Sequence, residues 1–97
     1  LARQFLEGVA FMHQQFIAHL DLKPDNMVVA EMETCPRILI IDFGTSVQVK
    51  SREDLITGYR GTAGWVASEV GWYEAPDQSF SPINADLWAC GKMVQWF

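Results

Sequence analysis

Residues 19–26 of the sequence read HLDLKPDN, and the tripeptide Asp42-Phe43-Gly44 follows a predicted hairpin later in the chain. Pro24 removes a backbone donor and disfavours helical geometry at Lys23, so residues 17–26 cannot continue a helix. The stretch places a carboxylate, a cation and an amide close together, at Asp21, Lys23 and Asn26. We therefore predict an ordered loop that carries polar chemistry.

The residues on either side of this loop predict a mixed α and β fold. Apolar side chains recur at helical spacing from Leu1 to Met12, which predicts an amphipathic helix over about the first fifteen residues. Two β-prone runs, Met27–Val29 and Arg37–Ile41, flank a polar turn. Together they predict a hairpin directly after the loop.

The second half of the chain predicts a long loop and then a buried helix. Residues 44–64 lack sustained periodicity and contain one short strand candidate, Val47–Val49. A short helix is predicted at Ala67–Trp72. Ser81 and Pro82 are typical of an N-cap and a first helical position, and the helix predicted from there to the end is apolar on every side. Such a helix is typical of a protein interior.

Composition excludes several classes of protein. A formal charge of −5 over 97 residues argues against general nucleic-acid binding, which needs a basic face. No apolar run approaches the roughly 18 to 20 residues that span a bilayer. Cys35 and Cys90 lack the spacing of a metal or redox motif and predict free buried thiols. The aromatic content of 12% and the apolar end at Trp96 and Phe97 predict that residues 1–97 are part of a larger domain.

The two motifs together resemble the catalytic loop and the metal-binding turn of protein kinases. Two later blocks extend the resemblance over almost the whole chain. Residues 61–69 resemble the end of the kinase activation segment, and residues 86–91 resemble the D-x-W-x-x-G pattern of a buried helix. The fold implied is α+β: a mainly helical C-terminal lobe with a small hairpin beside the catalytic loop, present as a partial domain.

The resemblance implies a role for each motif residue. Asp21 is expected to be the catalytic base, and Lys23 to neutralise charge on the transferred phosphoryl group and to contact ATP. Asn26 and Asp42 are expected to bind Mg²⁺ and, through it, the nucleotide. Thr62 is expected to favour Ser and Thr acceptors. The implied supporting residues are His19, Phe43, Gly44, Glu69 and Asp86; Gly44 is expected to allow the sharp turn after Asp42, and Phe43 to set where that Asp points.

The activity implied is transfer of the ATP γ-phosphoryl group to Ser or Thr hydroxyls of a protein, with ATP and Mg²⁺ as cofactors. No Gly-rich loop or nucleotide-covering Lys stands in these residues. We therefore expect the N-terminal lobe and the rest of the C-terminal lobe in the same chain, and weak ATP binding by these residues alone. A cytoplasmic or nuclear location is expected, without nucleic-acid partners and without a membrane span in this segment.

Two positions depart from the kinase pattern. Leu20 replaces an Arg that pairs with an activating phosphate in many kinases, which predicts that the usual phosphate switch is absent. Ser68 replaces the Pro of the A-P-E motif. Each motif residue alone also has an ordinary explanation, since an Asp before a Leu is usually at the surface and Asp86 can be a simple capping carboxylate.

Two alternative functions remain open from the sequence. A pseudokinase or truncated kinase-like fragment would act as a binding module, and Leu20, Ser68 and the missing nucleotide-covering elements favour it. A small-molecule phosphotransferase of the aminoglycoside or choline type would share the Asp and Asn of the loop. The segment over residues 62–69 argues against this second alternative, because those enzymes lack it.

Overall fold

The computed structural model describes residues 2–31, 36–58, 61–62, 64–65 and 79–97. Within them lie two α-helices, one 3₁₀ turn and three two-stranded antiparallel sheets. This content fits the predicted α+β class. The short helix predicted at Ala67–Trp72 lies outside the described residues, as do Cys35, Ser68 and Glu69.

The first helix, α1, spans Ala2–Gln14 and confirms the predicted amphipathic helix. Phe5, Val9 and Met12 are buried on one side, whereas Phe11 is 63% exposed. The helix ends where the chain turns at Phe16, which has a φ of 61°. This turn directs the chain into the loop at residues 19–26.

The predicted hairpin is confirmed. Strands β2, Met27–Glu31, and β3, Pro36–Ile40, pair antiparallel, with Met27 opposite Ile40. The hairpin is joined to α1 by one side chain: the Gln4 amide donates to the Pro36 carbonyl at 3.0 Å and accepts from the Ile38 N–H at 2.9 Å. Gly8 allows this close approach, because a Cβ there would lie 3.2 Å from Ile40 Cδ1.

Two further strand pairs are very short. Strand β1, Ile17–Ala18, pairs with β4, Val47–Gln48, and β5, Ile56–Thr57, pairs with β6, Ser79–Phe80. β4 confirms the strand predicted there, whereas β1 lies in a stretch predicted to be loop. The β1–β4 pair places residues 19–26 beside the segment that follows Asp42.

The second helix, α2, spans Pro82–Trp96. Ser81 is its N-cap as predicted, and its hydroxyl accepts from the Asn84 N–H at 3.3 Å. Burial on every side is not seen within the described residues, where Leu87, Trp88 and Trp96 are 51%, 44% and 59% exposed. α2 contacts α1 and β1, which lie on one side of it, and the outward side chains remain open to solvent in the described part of the chain.

The core consists of two apolar clusters, both of which include side chains of α2. We call them the strand-side cluster and the helix-side cluster. The strand-side cluster contains Ala18, Leu20, Val49, Phe80, Ile83 and Ala85. The helix-side cluster contains Phe5, Val9, Met12, Leu22, Ala89, Cys90 and Met93. Among the described residues, no helix is long and apolar enough to cross a membrane.

Candidate active site

Asp86, in the first half of α2, fixes the start of the loop at residues 19–26. Its carboxylate accepts the His19 N–H at 2.7 Å and the Leu20 N–H at 2.8 Å, and it contacts His13 Nε2 at 2.9 Å. The side chain is buried, with 1% exposure. A buried carboxylate is stabilised by such donors, because they replace the water it has lost. Asp86 therefore supports the loop, as predicted, and is more than a capping residue.

The burial of Leu20 explains why an Arg does not stand at this position, as it does in many kinases. Its side chain is buried in the strand-side cluster, and its backbone has a φ of 68°. This left-handed conformation costs a non-glycine residue about 1 kcal/mol or more. The hydrogen bond from its N–H to Asp86 and the burial of its side chain offset that cost. An Arg in the same buried place would lose its hydration.

His19 connects the loop to the residue before Asp42. Its Nδ1 accepts from the Asp21 N–H at 3.1 Å, which assigns the proton to Nε2, and Nε2 then donates to the Ile41 carbonyl at 2.8 Å. The ring is buried and meets Phe43 edge-on, with centroids 5.0 Å apart. One predicted supporting residue from each motif thus takes part in the contact that joins the two motifs.

Asp21, Lys23 and Thr62 form a continuous hydrogen-bonded group. The Thr62 hydroxyl accepts from Lys23 Nζ at 2.8 Å and donates to Asp21 Oδ1 at 2.7 Å. The three side chains come from positions up to 41 residues apart in the chain. The structure therefore brings together the predicted base, the predicted cation and the predicted acceptor-side residue.

Asn26 lies on the other side of Asp21. Its Nδ2 donates to the Asp21 carbonyl at 2.7 Å and to the Asp21 Oδ2 at 3.2 Å. Its backbone carbonyl accepts from the Ile41 N–H at 3.0 Å, which ties it to the residue before Asp42. Because both side-chain bonds use Nδ2, the Oδ1 atom is the part of the amide that can accept a cation.

The turn at Asp42-Phe43-Gly44 differs from its prediction in one respect. Asp42 itself has the positive φ, 61°, and Gly44 is not in the left-handed region. Asp tolerates this conformation because its carboxylate bonds the local backbone; here Oδ1 accepts from the Gly44 N–H at 3.2 Å. Glycine is favoured at position 44 for space, since a Cβ there would lie 3.2 Å from Asp42 Oδ1.

The donor set at this end of the site fits Mg²⁺. Asn26 supplies an amide oxygen and Asp42 an exposed carboxylate, the hard oxygen ligands that Mg²⁺ takes when substrate phosphates and water complete its shell. Among the described residues there is no group of three or more His, Cys, Asp or Glu side chains that could hold a metal ion. A two-ligand protein contribution is nevertheless the usual arrangement for Mg²⁺ bound with a nucleotide.

Cys90 is a free, buried thiol, as predicted. Burial raises the pKa of this thiol to about 12, and the nearby Asp86 carboxylate adds to the shift. A thiol with such a pKa is not a nucleophile near neutral pH. Cys90 therefore has a packing role in the helix-side cluster.

Sequence reasoning missed Lys92, whose ammonium group lies 5.0 Å from the Trp65 ring centroid and 5.8 Å from that of Trp88. Nζ also donates to the Gly64 carbonyl. Lys92 stands four residues after Trp88, a spacing that places both on one side of α2. The contact with Trp65 has no local signal, because it joins residues far apart in the chain.

Comparisons with known proteins agree with this geometry. The family model described as protein kinase domain matches residues 1–96. Over 92 residues the chain is 42% identical to myosin light chain kinase 3 of Homo sapiens, covering 95% of this chain and 10% of that protein. Over 96 residues it is 40% identical to serine/threonine-protein kinase 17A of Oryctolagus cuniculus, covering 97% of this chain and 22% of that protein.

A third relative, striated muscle preferentially expressed protein kinase of Danio rerio, is 38% identical over 94 residues, which cover 97% of this chain and 3% of that protein. The chain thus spans from 3% to 22% of these relatives. The match nevertheless includes every motif described above, from the residues around Asp21 to those around Asp86. The chain belongs to the protein kinase domain family.

Proposed function

We propose that this chain forms part of the C-terminal lobe of a protein kinase that transfers the ATP γ-phosphoryl group to Ser or Thr hydroxyls of a protein. The mainly helical core, with one hairpin after the loop at residues 19–26, supports the assignment to that lobe. One relative is named as a serine/threonine-protein kinase, which supports the acceptor type.

One observation carries the proposal: the Thr62 hydroxyl lies between Asp21 Oδ1 and Lys23 Nζ, at 2.7 and 2.8 Å. A hydroxyl donating to a carboxylate and accepting from an ammonium has the contacts that an attacking alcohol needs. Asp21 can take its proton, while Lys23 can neutralise charge on the phosphoryl oxygens. This part of the site is therefore built to accept hydroxyl groups.

The residues divide the chemistry between them. Asp21 orients the acceptor hydroxyl and takes its proton as the new oxygen–phosphorus bond forms and the bond to the ADP oxygen breaks, the electron pair leaving with ADP. Asn26 and Asp42 would hold Mg²⁺, which neutralises phosphate charge when bound. Asn26 also holds Asp21 in place through its two bonds. Fixed positions of this kind supply much of the rate in phosphoryl transfer.

The burial and chemistry of two residues, Cys90 and Leu20, bear on the location and the regulation of the protein. We propose a cytoplasmic or nuclear location, which the free thiol of Cys90 supports, since a reducing compartment preserves thiols. Activation through a phosphate paired with residue 20 is not proposed, because Leu20 is apolar and buried. The nucleotide-covering lobe is proposed to belong to the natural protein that carries this chain.

A peptide panel tests the proposed activity. The natural protein that carries this chain is incubated with Mg²⁺ and γ-labelled ATP and with four peptides identical except for Ser, Thr, Tyr or Ala at the acceptor position. We expect label on the Ser and Thr peptides and none on the Ala peptide. Label confined to the Tyr peptide would contradict the acceptor type. No transfer by folded protein would favour the alternative of a kinase-like binding module.

A further inference from the structure

Lys92 joins α2 to the segment over residues 61–65 by two contacts, and a third contact lies within α2. Its ammonium group lies over the rings of Trp65 and Trp88, and it donates to the Gly64 carbonyl. Cations over Trp faces are attracted by the ring quadrupole, and the attraction grows with desolvation. Lys92 is half-buried, so this attraction is less screened than at an open surface.

The segment it holds is the one that carries Thr62. The Trp65 N–H donates to the Thr62 carbonyl at 2.9 Å, and the Thr62 hydroxyl contacts both Asp21 and Lys23. A continuous series of contacts therefore runs from Lys92 through Trp65 to the catalytic base. Trp65 also packs against the helix-side cluster, which fixes one side of its ring.

The backbone of this segment contains two glycines in addition to the turn closed by the Trp65 N–H and the Thr62 carbonyl. Gly61 and Gly64 have φ values of 106° and 89°, conformations that glycine adopts freely but does not prefer strongly. Glycine has more conformations to lose than other residues, so a segment with two such glycines needs outside contacts to stay ordered. Lys92 supplies contacts of that kind to both Gly64 and Trp65.

We propose that Lys92 is a positioning residue that holds residues 61–65, and with them Thr62, on the acceptor side of the active site. The inference rests on the proposed function, because the acceptor side of the site is defined by the roles proposed for Asp21 and Lys23. The predicted Mg²⁺ ligands Asn26 and Asp42 share no hydrogen bond with residues 61–65 in the described part of the chain. Thr62 does contact Lys23, which is expected to contact ATP, so loss of Lys92 should weaken acceptor binding more than nucleotide binding.

The test compares three variants of the natural protein. Lys92→Met keeps the apolar stem and removes the charge and the donor, whereas Lys92→Arg keeps both a cation that stacks on Trp and a donor. Lys50→Met makes the same chemical change at an exposed lysine elsewhere. Two measurements are made on each: hydrogen exchange at the Trp65 amide, and the KM values for acceptor peptide and for ATP.

We expect Lys92→Met to speed exchange at the Trp65 amide and to raise the acceptor KM, each by roughly tenfold, with a smaller rise in the ATP KM. Lys92→Arg should retain most of the wild-type values, and Lys50→Met all of them. A purely structural role would reduce the amount of folded enzyme and thus kcat, without changing the acceptor KM. That pattern would overturn the proposal.

The amide measurement separates this inference from the proposed function. If the wild-type protein transfers no phosphate, faster exchange at Trp65 in Lys92→Met still supports the positioning of the segment, and the kinase proposal alone fails. If exchange at Trp65 is the same in Lys92→Met and the wild type, Lys92 does not hold the segment. The inference then fails whether or not the protein is a kinase.

Discussion

Asp86 shows how a single buried charge can organise a loop. It receives two backbone N–H groups from His19 and Leu20 and contacts the His13 ring, so its carboxylate is satisfied by groups from two different elements. These bonds hold Leu20 in its left-handed conformation. Asp21, the proposed catalytic base, follows directly, and its position thus depends on a residue that does not contact it.

Replacing Asp86 by Asn should lower the free energy of unfolding by about 3 kcal/mol. The amide retains the shape but offers one acceptor oxygen, and its own N–H₂ would face one of the buried donors. Urea unfolding followed by tryptophan fluorescence measures the change. The control is Asp25→Asn, which removes a charge from an exposed residue and should change stability by less than about 0.5 kcal/mol. Equal stability of the two variants would contradict this role for Asp86.

Some features of single residues could be predicted from the sequence, and others could not. Asp21, Lys23 and Thr62 could be singled out because they stand at the positions that carry the resemblance, and the structure brings the three side chains together. The turn at Gly44 was misplaced by two residues, since a glycine is the obvious candidate for positive φ while the self-bonding of Asp42 is visible only in three dimensions. Lys92 was missed for the same reason.

At the scale of elements, α2 connects the two sides of the site. Near its start it presents Asp86 to the loop, and near its end it presents Lys92 to residues 61–65. A helix can do both because its backbone is rigid over these distances. The place where α2 begins therefore affects the geometry at both ends, and Ser81 and Pro82 define that place.

Replacing Ser81 by Ala should lower the free energy of unfolding by about 1 kcal/mol. The variant removes the acceptor for the Asn84 N–H and leaves that donor to solvent. Ser81→Thr keeps the hydroxyl and is the matched control, with a change of only a few tenths of a kcal/mol expected. Thermal unfolding followed by circular dichroism compares the variants. A Ser81→Ala protein as stable as Ser81→Thr would mean that the cap does not contribute.

Helices and strands were predictable where neighbouring residues show a regular pattern of apolar side chains. α1 and the hairpin follow from helical spacing and from two β-prone runs around a polar turn, and both are present. The pairing of β1 with β4 was not predictable, because it joins residues such as Ile17 and Gln48, and two-residue strands have no period. The exposed side of α2 was missed because composition alone does not say which neighbours cover a helix.

At the scale of the whole molecule, the loop at residues 19–26 is held between the two clusters of the core. Leu20 is buried in the strand-side cluster and Leu22 in the helix-side cluster, so the residue between them cannot shift toward either. Asp21 is that residue. The packing of the two clusters thus restricts the position of the Asp21 carboxylate. The proposed mechanism, which is based on positioning, requires this.

The most direct measurement compares kcat for phosphoryl transfer by the natural protein and by its Asp21→Asn and Asp25→Asn variants. Asp21→Asn keeps the shape of the side chain but cannot take a proton, so kcat should fall by about 10² to 10⁴ fold, with little change in the KM for ATP. Asp25→Asn, four residues further along and exposed, should keep wild-type kcat. An Asp21→Asn variant that retains wild-type kcat would contradict the assignment of Asp21 as the base.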